Sequence, residues 1–583
     1  MKRRAVILWC CGILCWIVSL IITGYNAGAS NKPIQLALVH LLRDPSLYPN
    51  DPVRDTLYRY SSTLWWLIAR LPESVPLDVA EGMLFLVTRA LLIYSAYRLA
   101  YALYQDSLLA QVSAMCLMGL VPHPQIGGGT ILDSYFEQTS ASIPFILLGA
   151  AAFLEKRTYQ TTVWLGMAFN MTLIYASFAL VYLGAAVIAV PQLRVDWKRL
   201  FKSLVLFGIC ASPTLLLVAR YHSTAVFDAE LWYHVQRIRS PFHLFPLYFP
   251  LLSWTKYSVS VALALMLFVI VGKHRLLWKQ LGFAWTAISV FFVLWAFVPA
   301  YLLKSPLLLV LQTARASDVW ACLVGILTVV SASYLVERNL PTVTKRSVLA
   351  VGVWLLFLNV WSLKSHPTSI FIMGAVVGAG AWLILSLQKR EQFAADMLIP
   401  LTLVSVAVVG FLRWHLHPPD FKLYKDSPIF PFARWTYQNT SREALFLIPP
   451  GDQDAWPLFR ALSQRSVFVT WKDGTNVFFA PEYAHTWTER IEAIGVNIRG
   501  IHLGLRTRPL VDSSNVNNLY ERLSDKEVQR LAAQYGVTHW VVSRDKHSSF
   551  QTVFAHGKWK VLQVVPPPTS TTPTSQPRRE SQR

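Results

Sequence analysis

Thirteen apolar runs constrain this chain more than any other feature. They lie near residues 5–24, 82–103, 107–121, 138–154, 160–176, 177–192, 200–218, 249–271, 281–301, 316–335, 346–364, 369–387 and 394–412. Most approach the twenty or so residues that a helix needs to cross a hydrocarbon core. Lipid offers the backbone no hydrogen bonds, so each span must be a helix that satisfies its own. Of the 583 residues 54% are hydrophobic and only 15% charged, where a soluble domain carries about a quarter charged. The expected fold class is a polytopic α-helical membrane protein. The stretch 160–192 can be drawn as one long tilted helix or two short ones, and the choice reverses everything downstream.

Charge decides between them. Lys and Arg collect on the cytoplasmic side of a span, and Lys2, Arg3 and Arg4 place the N-terminus inside. With thirteen spans the inside connections hold Lys156 and Arg157; Arg194, Lys198 and Arg199; Lys273, Arg275 and Lys279; Arg338 and Lys345; and Lys389 and Arg390. The expected topology is N-inside, C-outside. The net charge of +21 is then largely a topology signal, and no nucleic-acid partner is required. The first run is longer than the usual core of a signal peptide, so it is expected to remain as a span despite the small residues of "GYNAGAS". All six cysteines fall inside expected spans (Cys10, Cys11, Cys15, Cys116, Cys210, Cys322). No disulfide framework is expected outside them, and no CxxC or HExxH spacing marks a metal site.

The longer connections all fall on the outer face. The first loop, 25–81, contains "LYPNDPVRDTLYRY" (47–60); the second reads "PHPQIGGGTILDSYFEQ"; the third spans 219–248. Residues 1–412 are thus expected to form the membrane domain. Residues 413–565 are expected to form a small extracytoplasmic α/β domain, with β-rich runs at 444–450, 465–474 and 538–545. Helical patterns lie between them at 456–464 and 524–536. In the last pattern Ser524 and Glu527 make a capping box and Gly536 a stop. The tail 566–583 is Pro/Ser/Thr-rich and is expected to be disordered.

An acidic first outer loop, an aromatic-rich interfacial stretch "LYRYSSTLWWLIARL" and an outer C-terminal region together resemble the C-type (GT-C) glycosyltransferase superfamily. "LYPNDP" (47–52), "RSPFHLFP" (239–246) and "EALFLIPP…FRALSQRSVFVTWKDG" look like a bacterial subgroup of uncharacterised members. Phe242 departs from that subgroup, which tends to have His there. The resemblance implies an enzyme of the bacterial plasma membrane that uses a polyprenyl-phosphate-linked sugar donor and the lipid bilayer as its setting. A transporter or flippase for a lipid-linked sugar, or for another envelope component, is the alternative.

Sugar transfer from a lipid phosphate needs a base for the acceptor hydroxyl and positive charge, or a metal, for the leaving phosphate. Asp51 is the expected base, at the motif position and in a tight turn, followed by Asp44 and Asp55. Asp44 and Asp51 each precede Pro, so helix capping is the competing role. His234, Arg237, Arg239 and His243 in the third loop, and Arg315 at a span border, are expected to hold the donor phosphate; contact with anionic headgroups is the plainer role for the loop residues. An i,i+3 pair with Asp318 is the competing role for Arg315. Asp133 and Glu137, after "GGGT", are candidate oxygen ligands for a divalent metal such as Mg or Mn, or else one solvated helix face.

Overall fold

The computed structural model describes residues 2–120, 126–129, 131–221, 225–338, 406–407, 410–411, 413–415, 418–504 and 513–564. The expected spans 346–364 and 369–387, most of 394–412, and the tail from 566 lie outside the described residues.

The other expected spans are helices: Lys2–Thr23, Leu77–Leu103, Leu108–Leu120, Gln138–Leu154, Thr158–Met171, Leu173–Ala189, Trp197–Tyr221, Leu251–Gly272, Leu276–Trp295 and Ala316–Glu337. Six helical segments among the described residues are long and apolar enough to cross a membrane. The stretch 160–192 is two helices, parted at Thr172, whose backbone is extended (φ −145°, ψ 114°). Val6, Trp9, Ile13 and Ile17 of the first helix, and Leu204, Ile209 and Leu216 of Trp197–Tyr221, are exposed. Apolar faces of this kind are costly in water and at ease in lipid.

The two ends of the bundle differ. At one end the connections are short and basic. Arg4 donates to Gln111 Oε1 (3.2 Å) and Ser107 to Glu337 Oε1 (2.7 Å), so the start of the first helix, the 104–107 turn and the end of Ala316–Glu337 meet there. The opposite end gathers the described parts of the long loops and residues 418–504 and 513–564. Strand β1 (Tyr25–Asn26) pairs in parallel with β2 (Phe421–Lys422) there.

Beyond β2 come β3 (Leu445–Leu447), β4 (Ser466–Val467), β5 (His539–Ser543), β6 (Gln551–His556) and β7 (Trp559–Gln563). They form one sheet in the order β4-β3-β5-β7-β6. β3 is parallel to both its neighbours, while β7 is antiparallel to β5 and β6. The β-rich runs read in the sequence become β3, β4 and β5. The second is shorter than expected, because Lys472–Phe478 coils into a 3-10 turn. The β6–β7 hairpin, which turns through Gly557 at φ 52°, was not among the expected strands. Helix Asp525–Tyr535 starts at the Ser524–Glu527 capping box and stops at Gly536, φ 77°.

A single apolar cluster joins the loops to this region. It unites Leu36, Tyr48 and Trp65 of the first loop, Trp232 and Phe245 of the third, and Phe468, Trp487 and Trp540. The loops and the C-terminal region therefore bury one core between them.

Candidate active site

"LYPNDP" does fold into a tight turn, with Tyr48 fully buried at φ 61° and the Asp51 N–H donating to Tyr48 O at 3.1 Å. The turn aims Asp51 away from solvent. Its carboxylate accepts from Arg460 Nε (2.6 Å) and from the backbone N–H groups of Val467 (2.8 Å) and Val53 (3.0 Å). Arg460 grips Asp473 with its other two nitrogens, at 2.7 and 2.8 Å. With no exposed side-chain surface and three donors upon it, Asp51 is placed as a clamp between the first loop and the C-terminal region. The geometry leaves no approach for an acceptor hydroxyl.

Asp44 ends helix Lys32–Arg43 rather than beginning one. It accepts from the Ser46 N–H (3.0 Å) and hydroxyl (2.6 Å) and pairs with Arg442 at 2.9 Å. The Ser46 hydrogen bonds hold its carboxyl below the ordinary value. Asp55 is exposed, in the first turn of the short helix Arg54–Leu57.

The third loop is split in its roles. Helix Ala229–Arg239 is N-capped by Asp228, which accepts from the N–H groups of Glu230 and Leu231. His234 Nε2 lies 2.9 Å from Ile498 O, and Arg237 donates to Tyr248 Oη (2.9 Å) and Gly504 O (2.6 Å), so both are taken up by the protein. Arg239 instead is half-buried, 4.7 Å above the Trp471 ring. His243 Nδ1 is 2.9 Å from Gly127 O. Burial, then the charge of Arg315, pushes His243 down to about 3. It is therefore neutral, and Nδ1 must be the donor to that carbonyl.

These last residues border a polar centre built on the second loop. Asp133 and Glu137 are both buried there. Ser140 donates to Asp133 Oδ2 at 2.5 Å, and Arg89 donates to the Asp133 carbonyl. Gln35 donates to Glu137 Oε2 (2.9 Å) and to Tyr60 Oη (3.1 Å). Burial raises Asp133 to about 7. Glu137 adds to the rise, while the Ser140 hydrogen bond and the charges of Arg89 and Arg315 oppose it. Burial raises Glu137 as well. On the cationic side, burial and the charge of Arg239 lower Lys472 to about 8, and burial lowers Arg239 to about 10.

The glycines make this assembly possible. Gly127 and Gly128 have φ of 91° and 73°, a region glycine enters at little cost. At Gly129 a Cβ would overlap the Asp318 carboxylate. The loop thus lies directly on Arg315, Asp318 and Tyr175. Arg315 donates to Tyr175 Oη (3.1 Å) and Gln312 Oε1 (3.0 Å), with Nε 4.0 Å from Asp318. Gln312 itself holds a left-handed backbone at φ 46°, a strained choice for a side chain of its size.

Three buried guanidinium nitrogens around this centre have no hydrogen-bond partner among the described residues: Arg89 Nη1, Arg239 Nε and Arg315 Nε. A buried charged donor left without a hydrogen bond is costly, and anionic groups are the partners that suit such donors. A divalent cation suits the same place poorly. Its two carboxylates, Asp133 and Glu137, already face the positive charges of Arg89, Arg315, Lys32 and Lys472, which oppose a further cation. Of the expected site residues, Arg239, His243, Arg315, Asp133 and Glu137 come together. Asp44, Asp51, Asp55, His234 and Arg237 are engaged elsewhere or exposed.

Sequence reasoning missed Lys32, Glu81 and Lys472. Lys32 and Glu81 form a fully buried ion pair at 3.0 Å. Tyr424 donates to Glu81 at 2.8 Å, and Lys32 Nζ sits 4.6 Å from the Trp65 ring. A carboxylate at the mouth of a span is expensive and was the available signal for Glu81. Lys472 was hidden in a run read as strand.

The family model of a domain of unknown function, DUF6798, matches residues 428–494, the stretch that supplies Arg460, Lys472 and Asp473. No curated protein matches the chain. Among solved structures the chain is similar to ArnT from Cupriavidus metallidurans in the apo state, at 14% identity and a TM-score of 0.40, over 97% of this chain and 98% of that one. It is similar to the same protein bound to undecaprenyl phosphate, again at 14% identity and the same coverage, with a TM-score of 0.41. It is also similar to the mycobacterial arabinofuranosyltransferase AftD, at 11% identity and a TM-score of 0.47, over 97% of this chain and 40% of that one.

Proposed function

We propose that this chain is a membrane glycosyltransferase. It moves a sugar from a polyprenyl-phosphate-linked donor to an acceptor on the outer face of the bacterial plasma membrane. In this reading the chain has thirteen spans, N-inside and C-outside, and the region from 413 packs over the site from outside. The observation that carries the proposal is the set of three buried guanidinium nitrogens that lack a hydrogen-bond partner among the described residues, near a carboxylate that burial raises to about 7. An anion held there lies at the end of an apolar bundle, where the phosphate of a lipid donor would rest while its tail stays in the bilayer.

The chemistry follows from those groups. The acceptor oxygen attacks the sugar C1, and its proton passes to the Asp133 carboxylate. The bond from C1 to the phosphate oxygen breaks, and polyprenyl phosphate leaves with the bonding electrons. Arg315, Arg239 and Lys472 stabilise the charge that grows on that phosphate. A base with a pKa near the working pH best combines ionisation with basicity, so Asp133 takes the role expected of Asp51. Ser140 holds Asp133 in place, and neutral His243 anchors the glycine loop that leads to it.

The test uses the full chain in lipid nanodiscs with labelled polyprenyl-phosphate sugars. The wild type should bind polyprenyl phosphate and release it from at least one donor. Asp133→Asn should bind it and release none, and Arg315→Gln should bind it more weakly. Normal turnover by Asp133→Asn would refute the assignment.

A further inference from the structure

Three sulfurs meet inside the bundle, away from the polar centre. Cys11 and Cys15 stand four residues apart on helix Lys2–Thr23 and so share a face. Cys116 comes from the neighbouring helix Leu108–Leu120. Cys15 Sγ is 3.9 Å from Cys11 Sγ and 3.6 Å from Cys116 Sγ, and the three sulfurs all lie within 4.8 Å of one another. All three residues are buried, in a cluster with Val18, Ile93, Val112 and Met115. Gly119 lets the helices close, since a Cβ there would stand only 3.2 Å from Cys15 Cβ.

We propose that Cys11, Cys15 and Cys116 form a binding site for a soft, thiophilic monovalent cation of the Cu(I) kind. A metal–sulfur bond of about 2.3 Å sets ligand sulfurs ~4.0 Å apart in a trigonal site and ~3.8 Å apart in a tetrahedral one. The separations present need little adjustment to reach either. Sulfur ligands select soft metals such as Cu(I) over hard ones. The apolar setting adds a charge argument, because each uncompensated charge inside a membrane is expensive. One Cu(I) is balanced when a single thiol gives its proton to solvent, with the other two donating lone pairs as thiols; a divalent ion requires two ionised sulfurs. No electron is transferred. The bound ion clips the first helix to Leu108–Leu120.

The experiment titrates the reduced, full-length protein in detergent with Cu(I) against a chromophoric Cu(I) chelator. The wild type should withhold one equivalent from the chelator. Cys15→Ser and Cys116→Ser should each lose that equivalent, and Cys10→Ser, an exposed neighbour on the same helix, should keep it. In the wild type alone, Cu(I) should protect three thiols from alkylation and raise the melting temperature, a result that needs no variant to fold. The proposal is overturned if the wild type surrenders all its Cu(I), if Cys15→Ser retains the full equivalent, or if Cys10→Ser loses it.

Discussion

Arg460 is the single side chain on which the docking of the first loop depends most. It is almost fully buried and faces two carboxylates, Asp51 at 2.6 Å and Asp473 at 2.7 Å, whose own side chains are 0% and 1% exposed. Arg460→Met keeps much of the volume but leaves two buried carboxylates without their cation. Breaking a buried pair by removing one partner costs about 3–5 kcal/mol, and here two anions are stranded, so the upper end of that range is expected. Asp51→Asn is milder, because Arg460 keeps its two-pronged grip on Asp473. The asparagine amide can still accept at one position. It must then turn its NH₂ toward the Val53 N–H, a donor against a donor, for roughly 1–3 kcal/mol. The assay is thermal unfolding of the full chain in detergent, followed by tryptophan fluorescence, with sugar transfer measured well below the melting point. Arg460→Met should melt far earlier than Asp51→Asn. Asp51→Asn should keep most of its transfer activity, whereas loss of a true general base costs a factor of about 10² to 10⁴. An Asp51→Asn protein as stable as wild type yet inactive would refute the clamp and restore Asp51 as the base.

Sugar transfer should rise with pH through about 7 as Asp133 ionises and fall above about 8 as Lys472 loses its charge; a profile flat across that interval contradicts both roles. The folded protein holds the Asp133 proton above the ordinary aspartate value of 3.8, so this group's contribution to stability is full below that value and is lost as pH rises to about 7. A melting series with Asp133→Asn, in which that slope should vanish, checks the sign. Gly129→Ala must displace the second loop from Asp318, so transfer should fall with an overpacking cost of about 1–3 kcal/mol in stability; unchanged activity would show that the loop's close approach is dispensable. Glu81→Gln strands buried Lys32 and should cost about 3–5 kcal/mol, read as an earlier melt that Lys32→Met with Glu81→Gln partly restores.

What the sequence disclosed and what it hid differ in kind. Hydropathy is a property of neighbouring residues, so the described helices, including the division of 160–192 into two, were legible from local pattern and loop charge, although the break falls at Thr172 and not at the expected 176/177. The capping box at Ser524 is local in the same way. The surroundings of Asp51 were hidden because its partner Arg460 is 409 residues away, and no local spacing reports that Arg460 and Asp473 close over it. The tight turn was foreseen, but it aims the carboxylate inward. Asp133 and Glu137 were noticed as a pair, yet two carboxylates four apart look the same on a solvated face as in a buried centre. Only the convergence of Arg89, Arg315 and Lys472 from three other segments tells the two apart. The β6–β7 hairpin lay in a stretch of mixed polarity, with β6 exposed or half-exposed throughout and β7 fully burying only Val561 and Leu562, and so carried a weaker apolar signal than β3 and β5.

The central claim is bond cleavage at the polar centre, and one measurement addresses it most directly. Labelled polyprenyl-phosphate sugars are supplied to the purified chain in sealed vesicles, and both free polyprenyl phosphate and intact donor in each leaflet are counted. The account predicts free polyprenyl phosphate from wild type and from Asp51→Asn, and none from Asp133→Asn. Intact donor that changes leaflet with no polyprenyl phosphate released would contradict it and make the chain a flippase.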